Sequence, residues 1–195
     1  MSLMKTLVLG LMVGLLPAMA QAAEDRCIAV AGLDAPKLVQ PATLRLAQLK
    51  AGETFLVHGG AGGIGTTCIQ LGKGFGAKVI ATDSPDARCQ ICRDLGADRV
   101  IDYKAEDFVE AVRAEGGANV ILDIVGGANI EKNIKAASPD GRIIQLAFAA
   151  GSKVEINLMP VMLKRLVYTG STLRTRPVPF KTRVARELEE KVWPL

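Results

Sequence analysis

The stretch "TFLVHGGAGGIGTTCIQLGKGFGAKVIATD", residues 54–83, decides the fold of this chain. It runs as a short apolar segment, a cluster of glycines, a helix-like segment and a second apolar segment that ends in an acid. Within it, Gly60-Ala61-Gly62-Gly63-Ile64-Gly65 has the spacing G-x-G-x-x-G between a predicted strand and a predicted helix. This order predicts a βαβ unit of the kind that binds a dinucleotide.

Each glycine of the motif has its own expected role. Gly60 permits the tight turn, Gly62 lacks a Cβ where a pyrophosphate must approach the backbone, and Gly65 allows close packing of helix on strand. The unpaired amides and the dipole at the helix start then face the phosphates. The alternative nucleotide site, a P-loop, requires a Gly-Lys-Ser/Thr ending, whereas Thr66-Thr67 follow Gly65 here without a lysine.

The acid that ends the second apolar segment is Asp83. A carboxylate at this position accepts hydrogen bonds from both ribose hydroxyls, which favours NAD and repels the 2′-phosphate of NADP. The alternative is that Asp83 caps a helix or shapes a turn ahead of Ser84-Pro85.

Beyond residue 52, β-rich runs alternate with helical stretches. The predicted strands are Thr54–His58, Lys78–Thr82, Arg99–Asp102, Asn119–Val125, Arg142–Ala147 and Leu166–Ser171. The predicted helices are Ile64–Phe75, Asp86–Leu95, Ala105–Ala114 and Ala128–Ala137. Nearly continuous apolar strands indicate a parallel sheet covered on both faces. The pattern predicts a doubly wound α/β fold with strand order 3-2-1-4-5-6, the Rossmann arrangement.

Length and composition limit the other possibilities. A chain of 195 residues with 49% hydrophobic residues suits one well-cored domain. We expect this domain to span residues 51–172, with a C-terminal helix at 173–195 and a connector containing a possible helix at 23–50. The formal charge of +4 is mild and no basic run is interleaved with aromatics, so nucleic-acid binding is not expected.

Residues 1–22 resemble an export leader. Lys5 precedes an uncharged run, Thr6–Ala22, and Ala20-Gln21-Ala22 suits signal-peptidase cleavage before Ala23. The alternatives are a buried strand or helix within this segment, or remnant sequence from a truncated or fused gene.

The four cysteines do not predict a metal or redox site. Cys89 and Cys92 have C-x-x-C spacing, but they lie within a predicted helix, and the single histidine, His58, lies in a predicted strand. We therefore interpret Cys89 and Cys92 as small helix residues one turn apart. The other two are Cys27 and Cys68.

Several motifs together carry a family resemblance. In order they are "LVHGGAGGIGTTCIQLGKGFGAKVIAT", "LGADRVIDY", "DIVGG" and "GSTLR". From Leu49 to Leu195 the chain resembles the quinone oxidoreductases related to zeta-crystallin, within the medium-chain dehydrogenase/reductase superfamily. The resemblance implies zinc-independent reduction of quinones, or of activated carbonyl or alkene acceptors, by NADPH.

The resemblance also implies a set of site residues. Gly63 and Ile64 would contact the pyrophosphate, and Ser84 to Arg88 would form the adenosine-phosphate loop, with Tyr103 near the 2′-phosphate. The path toward the nicotinamide would be lined by Ile124, Val125, Leu146, Ala147, Phe148 and Ala149. Alternatively, Tyr103 simply terminates a strand, and Ile124, Val125 and Leu146 are core residues whatever the function.

Two departures from the family pattern affect these expectations. Asp83 stands where the family usually has a small or apolar residue, so NAD(H) binding is an alternative to NADP(H) and weak discrimination is expected. The barrel-like catalytic domain of the family is expected to be absent, and no catalytic residue is assigned. A non-catalytic dinucleotide-binding module is therefore the alternative function.

The same resemblance bears on location and assembly. The family and its cofactor predict a cytoplasmic protein, whereas the leader-like segment predicts export to the periplasm or beyond. Surfaces that a catalytic domain would cover predict a homo-oligomer or another association through exposed faces.

Overall fold

A computed structural model describes residues 48–172 and 175–191 of the chain. The leader-like segment 1–22, residues 23–47 of the predicted connector, and Cys27 lie outside the described residues.

Within the described residues, six strands and six helices alternate along the chain. The strands are β1 Thr54–His58, β2 Lys78–Asp83, β3 Arg99–Asp102, β4 Ala118–Asp123, β5 Ala137–Gln145 and β6 Val167–Gly170. The helices are α1 Gly63–Gly74, α2 Asp86–Asp94, α3 Phe108–Ala114, α4 Asn129–Ala136, α5 Met159–Leu163 and α6 Val178–Lys191.

The six strands form one parallel sheet in the order β3-β2-β1-β4-β5-β6. This confirms the predicted fold class and strand order. Because the strand order reverses direction between β1 and β4, their carboxyl ends flank the crevice where ligands bind in such sheets.

Side chains of each central strand pack alternately on the two faces of the sheet. Phe55 and Val57 of β1 pack on one face with residues of α1 and Phe180 of α6. Leu56, from the same strand, packs on the opposite face with residues of α3 and α4. Burial on both faces explains why the strands are almost continuously apolar.

Several element boundaries differ from the prediction, and two of these differences have a visible local cause. Helix α3 begins at Phe108 because the Asp107 carboxylate accepts a hydrogen bond from the Val109 amide at 2.8 Å and caps the helix. Strand β4 ends at Asp123, whose carboxylate accepts amide hydrogen bonds from the residues after it. Strand β5 begins at Ala137, and its register with β4 shifts between Ala118 and Val120.

Candidate functional site

The glycine loop connects β1 to α1 through a tight turn at the carboxyl edge of the sheet. The Gly62 amide donates to the Gly59 carbonyl at 2.9 Å, and the Gly60 amide donates to the Thr82 carbonyl at 3.0 Å. A Cβ on Gly60 would lie 2.6 Å from the Cys92 sulfur. The loop is therefore held between its own turn, the end of β2 and helix α2.

The amino end of α1 presents unpaired backbone donors. In the described part of the chain, the amides of Gly63, Ile64 and Gly65 have no hydrogen-bond acceptor, and the Gly62 N-cap supplies none. The first turn of α1 carries no acidic side chain. Three free amides and the positive end of the helix dipole make this an anion-binding position.

The Asp83 carboxylate lies at the end of β2 beside this loop. It accepts hydrogen bonds from the amides of Ala61 and Ser84, each at 2.8 Å. The Arg88 guanidinium binds it through two bonds, at 2.6 Å from Nε and 3.1 Å from Nη2. Asp83 therefore joins the glycine loop, the start of α2 and a basic side chain.

These contacts control the charge state of Asp83. Burial alone would raise the pKa of the carboxyl, but the hydrogen bonds from Arg88, Ala61 and Ser84 outweigh it and lower the pKa below its ordinary value. The side chain is thus a carboxylate at neutral pH, with its charge compensated by Arg88.

A pocket of about 390 Å³ opens beside this ion pair. The lining residues are His58, Gly59, Thr82, Asp83, Ser84, Arg88, Tyr103, Glu106, Asp107, Phe108, Val125, Asn129 and Lys132. Five site residues predicted from sequence therefore share it: Asp83, Ser84, Arg88, Tyr103 and Val125. Tyr103 directly follows the last residue of β3 and is 53% exposed where it lines the pocket.

The loops after β4 and β5 lie side by side at the same edge. The Ala149 amide donates to the Ile124 carbonyl at 3.2 Å, and the Ala150 amide donates to the Val125 carbonyl at 2.7 Å. Phe148 is exposed at this edge. The structure therefore brings Ile124 and Val125 next to Leu146–Ala149, although of these residues only Val125 lines the pocket.

A buried network of hydrogen-bonded side chains lies beneath the pocket, and the sequence did not reveal it. His58 Nδ1 lies 2.8 Å from the Thr82 hydroxyl, and His58 Nε2 lies 2.7 Å from Asn133 Oδ1. Asn133 Nδ2 donates to Asp123 Oδ2 at 2.9 Å. All four side chains are almost completely buried.

The acceptor atoms determine which group donates in each hydrogen bond of this buried network. The Asn133 oxygen can only accept, so His58 carries its proton on Nε2 and accepts from Thr82 at Nδ1. Burial lowers the pKa of His58, against the opposing effects of the Asp123 charge and the Asn133 hydrogen bond. Asp123 in turn accepts from the amides of Val125 and Gly126 at 2.6 and 3.1 Å. The hydrogen-bond network thus connects the floor of the pocket to the loop after β4.

The two cysteines of the C-x-x-C pair lie within one helix, where the sequence predicted them. Cys89 and Cys92 both lie in α2 and are fully buried. Burial raises the pKa of both thiols, and that of Cys92 reaches about 11.

The described residues contain neither a metal site nor a membrane-spanning helix. No group of three or more His, Cys, Asp or Glu side chains there is arranged to hold a metal ion. None of the described helices is both long and apolar enough to cross a bilayer.

The parallel sheet, its strand order and the glycine loop with free amides define a Rossmann-type dinucleotide-binding domain. The chain belongs to the zinc-binding dehydrogenase family, whose model matches residues 63–190. Although the family is described as zinc-binding, the described residues do not fit a zinc site.

The relatives confirm the resemblance to quinone oxidoreductases. Human quinone oxidoreductase is 29% identical over 137 residues, covering 68% of this chain and 40% of the human protein. Mouse quinone oxidoreductase-like protein 2 is 32% identical over 128 residues, covering 64% of this chain and 37% of the mouse protein. The structure of Escherichia coli quinone oxidoreductase complexed with NADPH matches with a TM-score of 0.71 and 27% identity, covering 92% of this chain and 56% of that one. The chain thus spans about half the length of the E. coli enzyme, and it spans less than half the length of the human and mouse proteins.

Proposed function

We propose that this chain binds NADPH at the carboxyl edge of its sheet and serves as the cofactor domain of a quinone oxidoreductase. The observation that carries the proposal is the set of three free amides at the start of α1, beside a pocket that contains Arg88. Phosphate groups need such donors, and a Cβ on Gly63 would meet no atom within 4 Å, so there is space for a ligand.

Each predicted residue has a place in this proposal. The amides of Gly63, Ile64 and Gly65 would hold the pyrophosphate, with Gly60 and Gly62 shaping the loop. Ser84, Arg88 and Tyr103 would surround the adenosine phosphate. The adjacent loops after β4 and β5 would position the nicotinamide end, through Ile124, Val125, Leu146, Ala147, Phe148 and Ala149.

The choice of NADP(H) over NAD(H) rests on two kinds of support. The related E. coli enzyme was solved with NADPH. In this chain, the Arg88 guanidinium lines the pocket and offers a cation to a 2′-phosphate. NAD(H) is the alternative because an acid, Asp83, ends β2.

NADPH would supply the hydride that reduces a quinone or an activated carbonyl or alkene acceptor. The loops after β4 and β5 would hold one side of the reacting centre and exclude water there. We assign no acid, base or nucleophile to this chain. The alternative is a dinucleotide-binding module without turnover.

NADPH titration followed by a benzoquinone-reduction assay tests both functions. Gly63→Asp should abolish binding, because its carboxylate would occupy the free amides and repel the phosphates, while an acid in the first turn supports the helix. Asn157→Asp adds the same charge at an exposed position that does not line the pocket, and this variant should bind NADPH normally. Binding without turnover supports the module, and failure of the wild type to bind contradicts the proposal.

We propose a cytoplasmic location on the strength of the family, with export as the alternative. Intact-mass measurement of the protein from its native cell distinguishes the two. A mass that includes residues 1–22 supports the cytoplasm, and loss of Met1–Ala22 supports export.

A further inference from the structure

The Asp83 carboxylate has no acceptor capacity left for a ligand. Ser84 N and Arg88 Nε donate to Oδ1, at 2.8 and 2.6 Å. Ala61 N and Arg88 Nη2 donate to Oδ2, at 2.8 and 3.1 Å. An ionised carboxylate has about four lone-pair positions, and all four are occupied here. The side chain is also only 5% exposed.

A ribose diol would therefore have to displace a donor from Asp83. Displacing Ala61 or Ser84 would leave a backbone amide without its acceptor, which is unfavourable near a buried carboxylate. Displacing Arg88 would leave the carboxylate without its counter-charge. Both costs oppose the ordinary role of an acid at the end of the second strand.

Arg88 is held in a defined orientation by the same contacts. Its Nε and Nη2 are used by Asp83, and within the described residues its Nη1 has no hydrogen-bond partner. The side chain is 45% exposed and lines the pocket. A bidentate pair fixes the plane of the guanidinium, so its free edge is already oriented before a ligand arrives.

We propose that Asp83 is a positioning residue for Arg88 and thereby favours NADP(H) over NAD(H), the reverse of its usual effect. This inference rests on the proposed function, because it concerns the same cofactor site. The carboxylate selects for a 2′-phosphate by ordering the cation that binds it.

Removing the Asp83 carboxylate would change the affinity for a 2′-phosphate in two opposite ways, and the structure indicates which effect is larger. Loss of a negative charge would by itself favour a phosphate. That charge is already paired with Arg88 at 2.6 Å, so little repulsion is relieved. Loss of both bonds to the guanidinium releases a long side chain that is nearly half exposed, and its ordering must then be provided by the ligand.

The test is the ratio of NADPH to NADH affinity in a cycle of variants. Asp83→Ala should lower the ratio by about tenfold, the effect of roughly one charge-assisted hydrogen bond. Arg88→Gln should lower it too, and Asp83→Ala added to Arg88→Gln should lower it no further, because both changes act through one guanidinium. A general loss of structure would weaken the binding of both cofactors together, so the ratio is measured on variants whose circular dichroism spectrum matches that of the wild type.

Asp83→Asn is a second variant that tests the same inference and should disturb the fold less than Asp83→Ala does. The amide keeps the side-chain volume and one acceptor oxygen but cannot receive the guanidinium through two oxygens, so the ratio should also fall. An unchanged or increased ratio in both Asp83 variants overturns the inference and restores the usual discriminating role. If the wild type binds neither cofactor, the proposed function fails and this inference fails with it. If the wild type binds and the ratio does not fall, only this inference fails.

Discussion

Gly65 lies so close to Gly59 that a Cβ on Gly65 would be 2.2 Å from the Gly59 carbonyl oxygen. The same atom would lie 2.5 Å from the Cα of Gly60. All the nearest atoms belong to the backbone, so no side-chain rotation relieves the contact. Helix α1 can pack directly on the end of β1 because position 65 has no side chain.

Gly65→Ala should therefore destabilise the fold. The loop and helix must separate to accommodate the methyl group, and overpacking of this kind costs about 1–3 kcal/mol in the free energy of unfolding. Urea denaturation followed by circular dichroism measures this loss.

Gly63→Ala is the matched control, at the first position of the same helix. Its Cβ would meet no atom within 4 Å, so the helix should gain up to about 1 kcal/mol from the better helix former. NADPH affinity should nevertheless fall, since the methyl group would lie beside the free amides. Equal stability effects at the two positions would contradict the geometric argument.

The sequence predicted the sheet and the loop because their determinants are local. The glycine motif occupies six consecutive residues, and the strands follow from apolar runs that the sheet buries on both faces. Once the strands are parallel, right-handed crossovers restrict the strand order to few choices.

The polar contacts of the site depend on tertiary packing and were not predictable. Asn133 reaches His58 across a sequence separation of 75 residues. The pairing of Asp83 with Arg88 spans five residues, but it depends on the angle at which α2 leaves β2. The sequence analysis treated Asp83 as a feature that favours NAD and placed Arg88 in the adenosine-phosphate loop, whereas in the structure the two side chains form one ion pair.

His58 should stay neutral in the folded protein to a lower pH than an ordinary imidazole does. Burial lowers its pKa, and the chain has no other histidine, so one imidazole signal reports it cleanly by NMR. We expect the Nε2–H tautomer throughout the native range. A pKa for His58 in the folded protein at or above the ordinary histidine value of about 6.5 would contradict this.

The same shift makes stability depend on pH in a defined direction. In the unfolded chain His58 takes up a proton below about pH 6.5, whereas the folded chain resists protonation, so acidification favours unfolding. As the pH is lowered, the contribution of His58 to the free energy of unfolding falls by at most about 1.4 kcal/mol per pH unit. This fall is confined to the range between the pKa of His58 in the unfolded chain and its pKa in the folded chain. His58→Gln should therefore show a smaller difference in unfolding free energy between pH 7.5 and 5.5 than the wild type.

Cys89 and Cys92 should react very slowly with iodoacetamide in the native protein. Both thiols are buried, and their raised pKa values keep them protonated near pH 8. Peptide mapping by mass spectrometry should show low modification at both sites until urea unfolds the protein. Rapid native labelling of either residue, or a Cys89–Cys92 disulfide in the isolated protein, would instead support a redox role.

Helix α5 and strand β6 should mediate self-association of this chain. Along the edge of the sheet, β6 pairs only with β5 among the described strands, and Val167 and Tyr168 on it are exposed. In and next to α5, Met162 is 70% exposed and Leu163 is 64% exposed. Leu158 and Met159 are each 61% exposed. An apolar surface of this kind next to an unpaired strand edge favours docking of a second copy.

Sedimentation velocity over a wide concentration range measures this association. The double change Met162→Glu and Leu163→Glu should shift the protein toward monomer, because two charges would be buried in the contact. Ile91→Glu is the control, since it adds a charge at an exposed apolar residue of α2 and should leave the distribution unchanged. A wild type that sediments as a monomer at all concentrations, or equal effects of the two variants, would contradict the assignment of this face.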